Sequence, residues 1–501
     1  MYKLNRYDIV VAGAGFAGSL VALALQKKGL KVCLLEKGNH PRFAIGESST
    51  PVADMILRSL SEKYDLPWLY DFSRYGSWQK THPEIICGLK RGFSFFKHQP
   101  GKEFFTDENH TNELLVAASA SDEVSDTNWL RSDFDNYLAE KAKTSGIDYF
   151  EFTEIVEAKK NDQWEFQILR WNVKDKIYCS FFIDATGSGA LAEKLFRAKS
   201  SSDDFLTNSF AVFSHFNDVP HWTEILKQQK VPVGDFPFDP DWSALHHILD
   251  EGWMWMLRFN DERTSVGFVL NQQNESFHHL SAEETWKIIL KKYPTVRRIL
   301  NDATLHPSPG KIIKTGRLQR KLLQGFGPGW VSLPHSIGFV DPLFSPGIAF
   351  SLSGVEKLLE IFDDCWGKEQ LIDANVRQYA DKVSAEIKLI DRLIAGCYKS
   401  MPYFELFTSW SMLYFAATIA HEQRRIKKEP PGYFLNADDF QITKMVDESF
   451  DDLMKLLSKR PSADGIKNFT RVIKERIKPF NIAGLLDPNA KNMYHHTVAT
   501  F

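Results

Sequence analysis

The strongest constraint on the fold lies near the start of the chain. Tyr7–Ala12 (YDIVVA) is an unbroken apolar run of strand length, the pattern of a strand buried on both faces. GAGFAG follows, then SLVALALQKKG with apolar residues at helical spacing, then a second short run, KVCLLE, ending at Glu36. Strand, glycine turn, helix and strand within about 30 residues make a βαβ unit, which commits the chain to an α/β fold. Gly13, Gly15 and Gly18 form G-x-G-x-x-G in that setting. The first glycine allows the tight turn, the second lets a pyrophosphate approach the backbone, and the third permits close helix–strand packing. The helix N-terminus offers free N–H groups and partial positive charge to phosphates. Glu36, 18 residues after Gly18, can accept ribose hydroxyls and would repel a 2′-phosphate. The motif reads as dinucleotide binding, and on these residues alone FAD and NAD both stay open. A second glycine cluster, Gly325–Gly329, precedes a strand rather than a helix, so a single such site is expected.

The 501 residues leave room for further units. Short aromatic-rich strands such as Ser209–Phe216 (SFAVFSHF), and a hairpin around Trp253–Leu270, occupy the middle of the chain. Phe181–Gly187 and Pro328–Phe344 return to the buried-strand pattern, and after about residue 375 the chain reads as helical. This alternation predicts a discontinuous Rossmann-type nucleotide domain (1–80, 125–200 and 310–375). A mixed or antiparallel-sheet substrate domain (81–124 and 200–309) is inserted in it, and a helical region (376–501) follows. Tyr403–Ala420, aromatic-rich with Glu405 as its lone charge, reads as a core-facing helix.

A formal net charge of −3 gives no electrostatic case for nucleic acid or an anionic membrane. No stretch of 18 or more apolar residues appears, so no membrane span is expected. Five widely spaced cysteines without C-x-x-C, and no signal peptide, fit reduced thiols in a cytoplasmic protein. Three His pairs (246–247, 278–279 and 495–496) lack the spacing of metal ligands, and no metal is expected.

Four further segments carry a resemblance: Pro41–Pro51 (PRFAIGESSTP), Leu130–Leu138 (LRSDFDNYL), Asp184-Ala-Thr-Gly187, and Phe339–Gly347 (FVDPLFSPG). Together they resemble the FAD-dependent monooxygenases of the hydroxybenzoate-hydroxylase type and, within them, the flavin-dependent halogenases. The last segment is similar to the halogenase pattern F-x-x-P-x-x-S-x-G at all four fixed positions. The resemblance implies FAD, held by Gly13, Gly15, Gly18 and Glu36 together with Arg42, Ser48 and Arg131. It adds Asp184 and Gly187, and then Asp341, Pro342, Gly347 and Ile348, to the cofactor contacts. The residues themselves support that last group. Asp341-Pro342 stops a strand, and Gly347 opens a helix whose N-terminus would stabilise negative charge on a reduced flavin.

The resemblance also implies a halide site at Ser345 and Gly347, although Pro346 stands where a family N–H helps hold chloride, and proline has none. Pro334 and His335 stand where the family has Gly-Asp against the ribityl chain. Lys80, 33 residues after Glu47, is the implied catalytic lysine, able to hold hypohalous acid near the substrate. Trp253 and Trp255 resemble the family's W-x-W motif and, with Phe344, are the expected substrate pocket. Phe344 replaces the glutamate of tryptophan halogenases, which points to a phenol or pyrrole that needs less help in losing its proton. The implied function is halogenation of an aromatic substrate, free or carrier-tethered, by an FAD-dependent enzyme supplied with reduced FAD by a flavin reductase. Direct hydroxylation is the second reading. A non-catalytic flavin-binding scaffold or maturation partner, motivated by Pro334-His335, is the third.

Overall fold

The structure, a computed structural model, describes residues 5–496 apart from Asn274. In chain order, β1 (Arg6–Ala12), α1 (Phe16–Lys27) and β2 (Val32–Leu35) form the βαβ unit. α2 (Pro51–Lys63), α3 (Tyr75–Thr81), β3 (Cys87–Lys90), β4 (Gly92–Lys97), β5 (Glu113–Ala117) and β6 (Asp126–Trp129) follow. Next come α4 (Arg131–Thr144), β7 (Asp148–Phe150), β8 (Thr153–Lys160), β9 (Trp164–Arg170) and β10 (Val173–Asp184).

β1 lies inside an eight-stranded sheet, parallel to β2 on one side and β10 on the other. Ile9, Val10 and Val11 are fully buried, as the unbroken apolar run requires. β7 extends the sheet beyond β2, and Trp330–Ser332 lies parallel to β10. The second sheet has nine strands and is largely antiparallel. Ser209–Asn217, Thr264–Asn271, Gly252–Arg258 and Ala244–Ile248 run side by side, and β4 and β5 continue it. The expected hairpin forms with Trp253 opposite Val269 and Trp255 opposite Gly267. A Cβ at Gly267 would lie 2.2 Å from the Trp255 ring, so the indole takes the space that a side chain would occupy.

Three pairings differ from a simple reading of the sequence order. β3 pairs with β6 in a separate two-stranded sheet. Ile313–Arg317 pairs with Ser209–Asn217 in the nine-stranded sheet, and Met493–Tyr494 adds an outer strand to β5. Each joins segments distant in sequence, which no local pattern reports.

The helices Glu369–Ser400, Phe404–Ile426, Phe440–Leu457 and Ala463–Ile477 form the C-terminal region. Phe407, Trp410 and Leu413 are fully buried, consistent with a core-facing helix. Among the described residues no helix is long and apolar enough to cross a membrane, and no group of His, Cys, Asp or Glu could hold a metal. The first two C-terminal helices meet at Gly396, where an added Cβ would lie 2.0 Å from the Trp410 ring. Trp410 Nε1 also donates to the Leu393 carbonyl at 2.7 Å, which fixes the indole. Gly396→Ala is therefore expected to destabilise the fold by about 1–3 kcal/mol through overpacking. Urea unfolding of the purified variant measures this, and an unchanged midpoint would show that the crossing is loose.

Candidate functional site

A cavity of about 920 Å³ runs between the two sheets. One end is built by the glycine turn. Gly13 has φ +102°, and a Cβ there would lie 2.5 Å from the Ala185 carbonyl oxygen. A Cβ at Gly18 would lie 2.0 Å from the Gly13 carbonyl oxygen, so the third glycine is needed for α1 to pack on its own turn. Gly15 caps α1, with the Arg42 and Arg131 guanidinium groups 3.8 and 3.6 Å from where its Cβ would be. The Glu36 carboxylate accepts from the N–H of Ala14 at 3.1 Å and of Gly38 at 3.0 Å, with Arg42 at 3.4 Å. Burial opposes its charge, but Arg42 and the two N–H groups outweigh that, and the carboxyl stays below its usual range.

Arg131 makes the loop after β2 rigid. It grips Asp135 with two hydrogen bonds at 2.9 and 2.7 Å and donates to the carbonyls of Ile45 and Gly46. Gly187 and Ser48 line the cavity. Asp184 does not. It is fully buried behind the wall and accepts from Thr186, Ser332 and Ser336, so it shapes the Gly187 loop instead of facing a ligand.

Trp253, Trp255, His246 and Phe213 line the other end, across from Pro342, Ser345, Gly347 and Ile348. In that loop Phe344 (φ 66°) and Ser345 (φ 54°) are both left-handed, a conformation that costs energy for side-chain-bearing residues and needs support. Support comes from Asp341, whose carboxylate accepts the Leu343 N–H at 3.1 Å, and from the Ser345 N–H, which donates to the Pro342 carbonyl at 2.9 Å. Asp341 is itself buried away from the cavity, held by Ser209 and Tyr398, and burial pushes its carboxyl up to about 6. Phe344 lies outside the cavity lining. It is fully buried and stacks on Tyr414 at 4.4 Å. His335 faces the cavity from the position of the family aspartate, its Nδ1 paired with the Ser351 hydroxyl. Burial, helped by Arg320 and Arg131, lowers it to about 3, so it is a neutral imidazole there.

Lys80 is exposed in α3 and does not line the cavity, so the structure does not bring this expected residue to the site. A different lysine is buried nearby, although it does not line the cavity either. Lys90 ends β3 with no exposure at all. Its Nζ donates to the Ser49 carbonyl at 2.5 Å, sits 4.0 Å over the Phe93 ring, and lies 3.9 Å from Asp126. Burial, against the pull of Asp126 and Asp54, lowers the ammonium to about 8. A lysine inside the apolar stretch CGLKRGFSFF was the available sequence signal, because lysine is almost never fully buried without a partner. Sequence reading also missed His215, whose Nε2 lies 2.8 Å from the carboxylate of Glu47 on the cavity wall.

The cavity's shape and polar atoms fit FAD. The buried Nε of Arg42 and Oγ of Ser48, both on lining residues, have no hydrogen-bond partner among the described residues, beside an α1 N-terminus and a ribose-type carboxylate. Such a site defines a flavin-dependent oxidoreductase. Residues 8–111 match the family model described as FAD dependent oxidoreductase, and residues 129–405, more than half of the chain, match that of tryptophan halogenase. The chain belongs to the tryptophan halogenase family, and its cofactor is FAD. It is 24% identical to monodechloroaminopyrrolnitrin halogenase PrnC of Pseudomonas fluorescens, over 84% of this chain and 73% of that one. It is 24% identical to tetracycline 7-halogenase of Kitasatospora aureofaciens, over 83% and 74%. The solved structure of halogenase PltM with phloroglucinol and FAD superposes with a TM-score of 0.85, at 23% identity, over 97% of this chain and 99% of that one.

Glu36→Ala removes the charged acceptor at the ribose end. It is expected to weaken FAD by about 1.5–3 kcal/mol, the value of a hydrogen bond to a charged group. Fluorescence titration with FAD checks this, and unchanged affinity would take Glu36 out of the cofactor contacts.

Proposed function

We propose that the protein halogenates an aromatic, phenol- or pyrrole-like substrate and that Lys90, rather than Lys80, holds the oxidised halogen. Bound reduced FAD, with O2, supplies the oxidising power that turns halide into an electrophilic halogen. The observation that carries the reading is Lys90 itself, a fully buried amine set in an aromatic wall beside the cavity. Phe344, on the Pro342–Gly347 loop, approaches Phe93 at 6.5 Å and Phe95 at 5.8 Å, so the wall links the cofactor cavity to the lysine. An ammonium there donates to the halogen's oxygen, and its low dielectric surroundings strengthen that bond. The ring carbon takes the halogen, the halogen–oxygen bond breaks, and the ring proton leaves with the released oxygen as water.

Halide is held by the free N–H groups of Gly347 and Ile348 at the helix start and by the Ser345 hydroxyl, since the Ser345 N–H is already used and Pro346 has none. Pro346 favours a second reading, in which the substrate is hydroxylated and no halide binds. The phloroglucinol complex of the solved relative supports a phenolic substrate, and a relative named 1H-pyrrole-2-carbonyl-[peptidyl-carrier protein] brominase, from Pseudoalteromonas luteoviolacea, supports a tethered pyrrole. The lone dinucleotide fingerprint argues for reduced FAD delivered by a partner reductase. Five free, buried cysteines agree with a reducing, cytoplasmic setting.

The test supplies reduced FAD, O2 and bromide with phenols and pyrroles, read by mass spectrometry. Wild type and Lys80→Ala are expected to give brominated product at similar yield. Lys90→Ala is expected to lose it by about two orders of magnitude or more, the scale of a removed electrophile-holding donor. Oxygenated product without bromine from wild type would establish the second reading, and bromination undiminished by Lys90→Ala would remove Lys90 from the reaction.

A further inference from the structure

A second, small cavity of about 20 Å³ lies beyond Phe344. Tyr414, Phe415 and Phe93, all of which line it, pack on Phe344 at 4.4, 5.6 and 6.5 Å. Lys90 is its neighbour. Phe93 carries the ammonium on its face, and Thr50, another lining residue, follows the Ser49 carbonyl that Lys90 binds. The lining is apolar except for two threonines, the Tyr414 hydroxyl and one acid, Glu422.

Glu422, on the Phe404–Ile426 helix, is 3% exposed, and its carboxyl makes no hydrogen bond or ion pair with another described residue. The other charges packed on that helix are matched elsewhere, Arg425 with Glu356 and Lys357 with Glu386. Asp126 faces Glu422 from β6, held in turn by Lys90 from β3 and by Asp54 and Arg58 from α2, and Tyr414 faces it from its own helix. A buried polar group without a partner is costly, and a cavity of this size holds one water or one hydroxyl.

We propose that Glu422 sets the specificity for the acceptor ring: in the small cavity beside Lys90, its carboxyl exchanges hydrogen bonds with a hydroxyl of a phenolic substrate whose ring lies against Phe93 and Phe415. Burial and then Asp126 push the Glu422 carboxyl up to about 8, so at neutral pH it is an acid with one O–H to donate and an oxygen to accept. That pair of roles matches a hydroxyl. A cationic amine is disfavoured by the uncharged acid and by the Lys90 ammonium. An anchored hydroxyl also decides which activated ring carbon faces Lys90. A whole ring needs more space than the cavity offers, so Thr418, the one partly exposed lining residue, turns aside on binding.

The inference rests on the halogenase reading for its reaction, but its test is equilibrium binding. Resorcinol is titrated into the FAD-loaded protein and followed by ligand-observed NMR. Wild type is expected to bind about fourfold more weakly at about pH 8.5 than at about pH 6.5, as the acid ionises. Glu422→Gln keeps donor and acceptor, so its affinity is expected to match wild type at the lower pH and to fall less than wild type's as the pH rises. Glu422→Leu is expected to lose roughly tenfold. Unchanged binding by Glu422→Leu, or equal binding of resorcinol and 1,3-dimethoxybenzene by wild type, would overturn the proposal. Should Glu422→Leu not fold, the comparison of pH slopes decides: equal slopes in wild type and Glu422→Gln overturn it. Resorcinol bound in the expected pattern but never brominated would overturn the halogenase reading and leave this assignment standing.

Discussion

The contact between the glycine turn and the end of β10 is the constraint on which the site depends. Gly13 lies against Ala185 so closely that any side chain would strike the backbone there, and Gly18 lies equally close to Gly13. This packing aims the free N–H groups of α1 into the space between the sheets. It also places the Gly187 loop opposite Glu36, because β1 runs in register with both β10 and β2. Asp184 completes the junction by tying Thr186, Ser332 and Ser336 into one hydrogen-bonded node under the cavity. The cofactor end is thus a product of backbone geometry together with the charged side chains of Glu36, Arg42 and Arg131 on its wall.

The lysine end is built by the opposite means. Lys90, Asp126 and Asp54 are buried together, and removing such charges from water is expensive unless they offset one another. The lowered ammonium of Lys90 and the raised carboxyls of Asp126 and Asp54 are the expected response, since burial favours the neutral forms. The cluster sits behind the aromatic wall of Phe93, Phe95 and Phe344.

The βαβ unit, the hairpin at Trp253 and the Phe339–Gly347 segment were legible in the sequence because each is local, fixed by periodicity or by a turn of a few residues. Arg42, Ser48, Gly187, Pro342 and Gly347 reach the cavity because they lie within or beside those local units. Lys80 was misplaced for a physical reason. Spacing from Glu47 measures distance along the chain, whereas burial of a lysine depends on β3 pairing with β6 and on the Ser48–Ser49 segment lying against β6. Asp184 and Asp341 were expected as ligand contacts because the family resemblance implied it. Both instead turn inward, where nearby hydroxyls and backbone N–H groups satisfy them. His215 carried no local signal, since its partner Glu47 lies far away in sequence.

The helical C-terminal region belongs to the site rather than flanking it. Trp253, on the cavity wall, donates from Nε1 to the Tyr398 hydroxyl at 3.2 Å, and Tyr398 donates to Asp341 at 2.9 Å. Ser209 donates to the same carboxylate at 2.8 Å, and Gln319 joins Ser209 to the Val340 carbonyl. Tyr398 sits on the Glu369–Ser400 helix, Ser209 on the nine-stranded sheet and Asp341 on the strained loop. One buried network therefore fixes the indole wall, the sheet and the left-handed Phe344-Ser345 turn relative to each other. From the next helix Tyr414 stacks on Phe344, which holds that turn from its outer face. The energy stored in two left-handed residues is sustained by contacts from three parts of the chain. The loop that presents Ser345 and Gly347 to the cavity is consequently held by contacts from the whole fold as well as by its own turn.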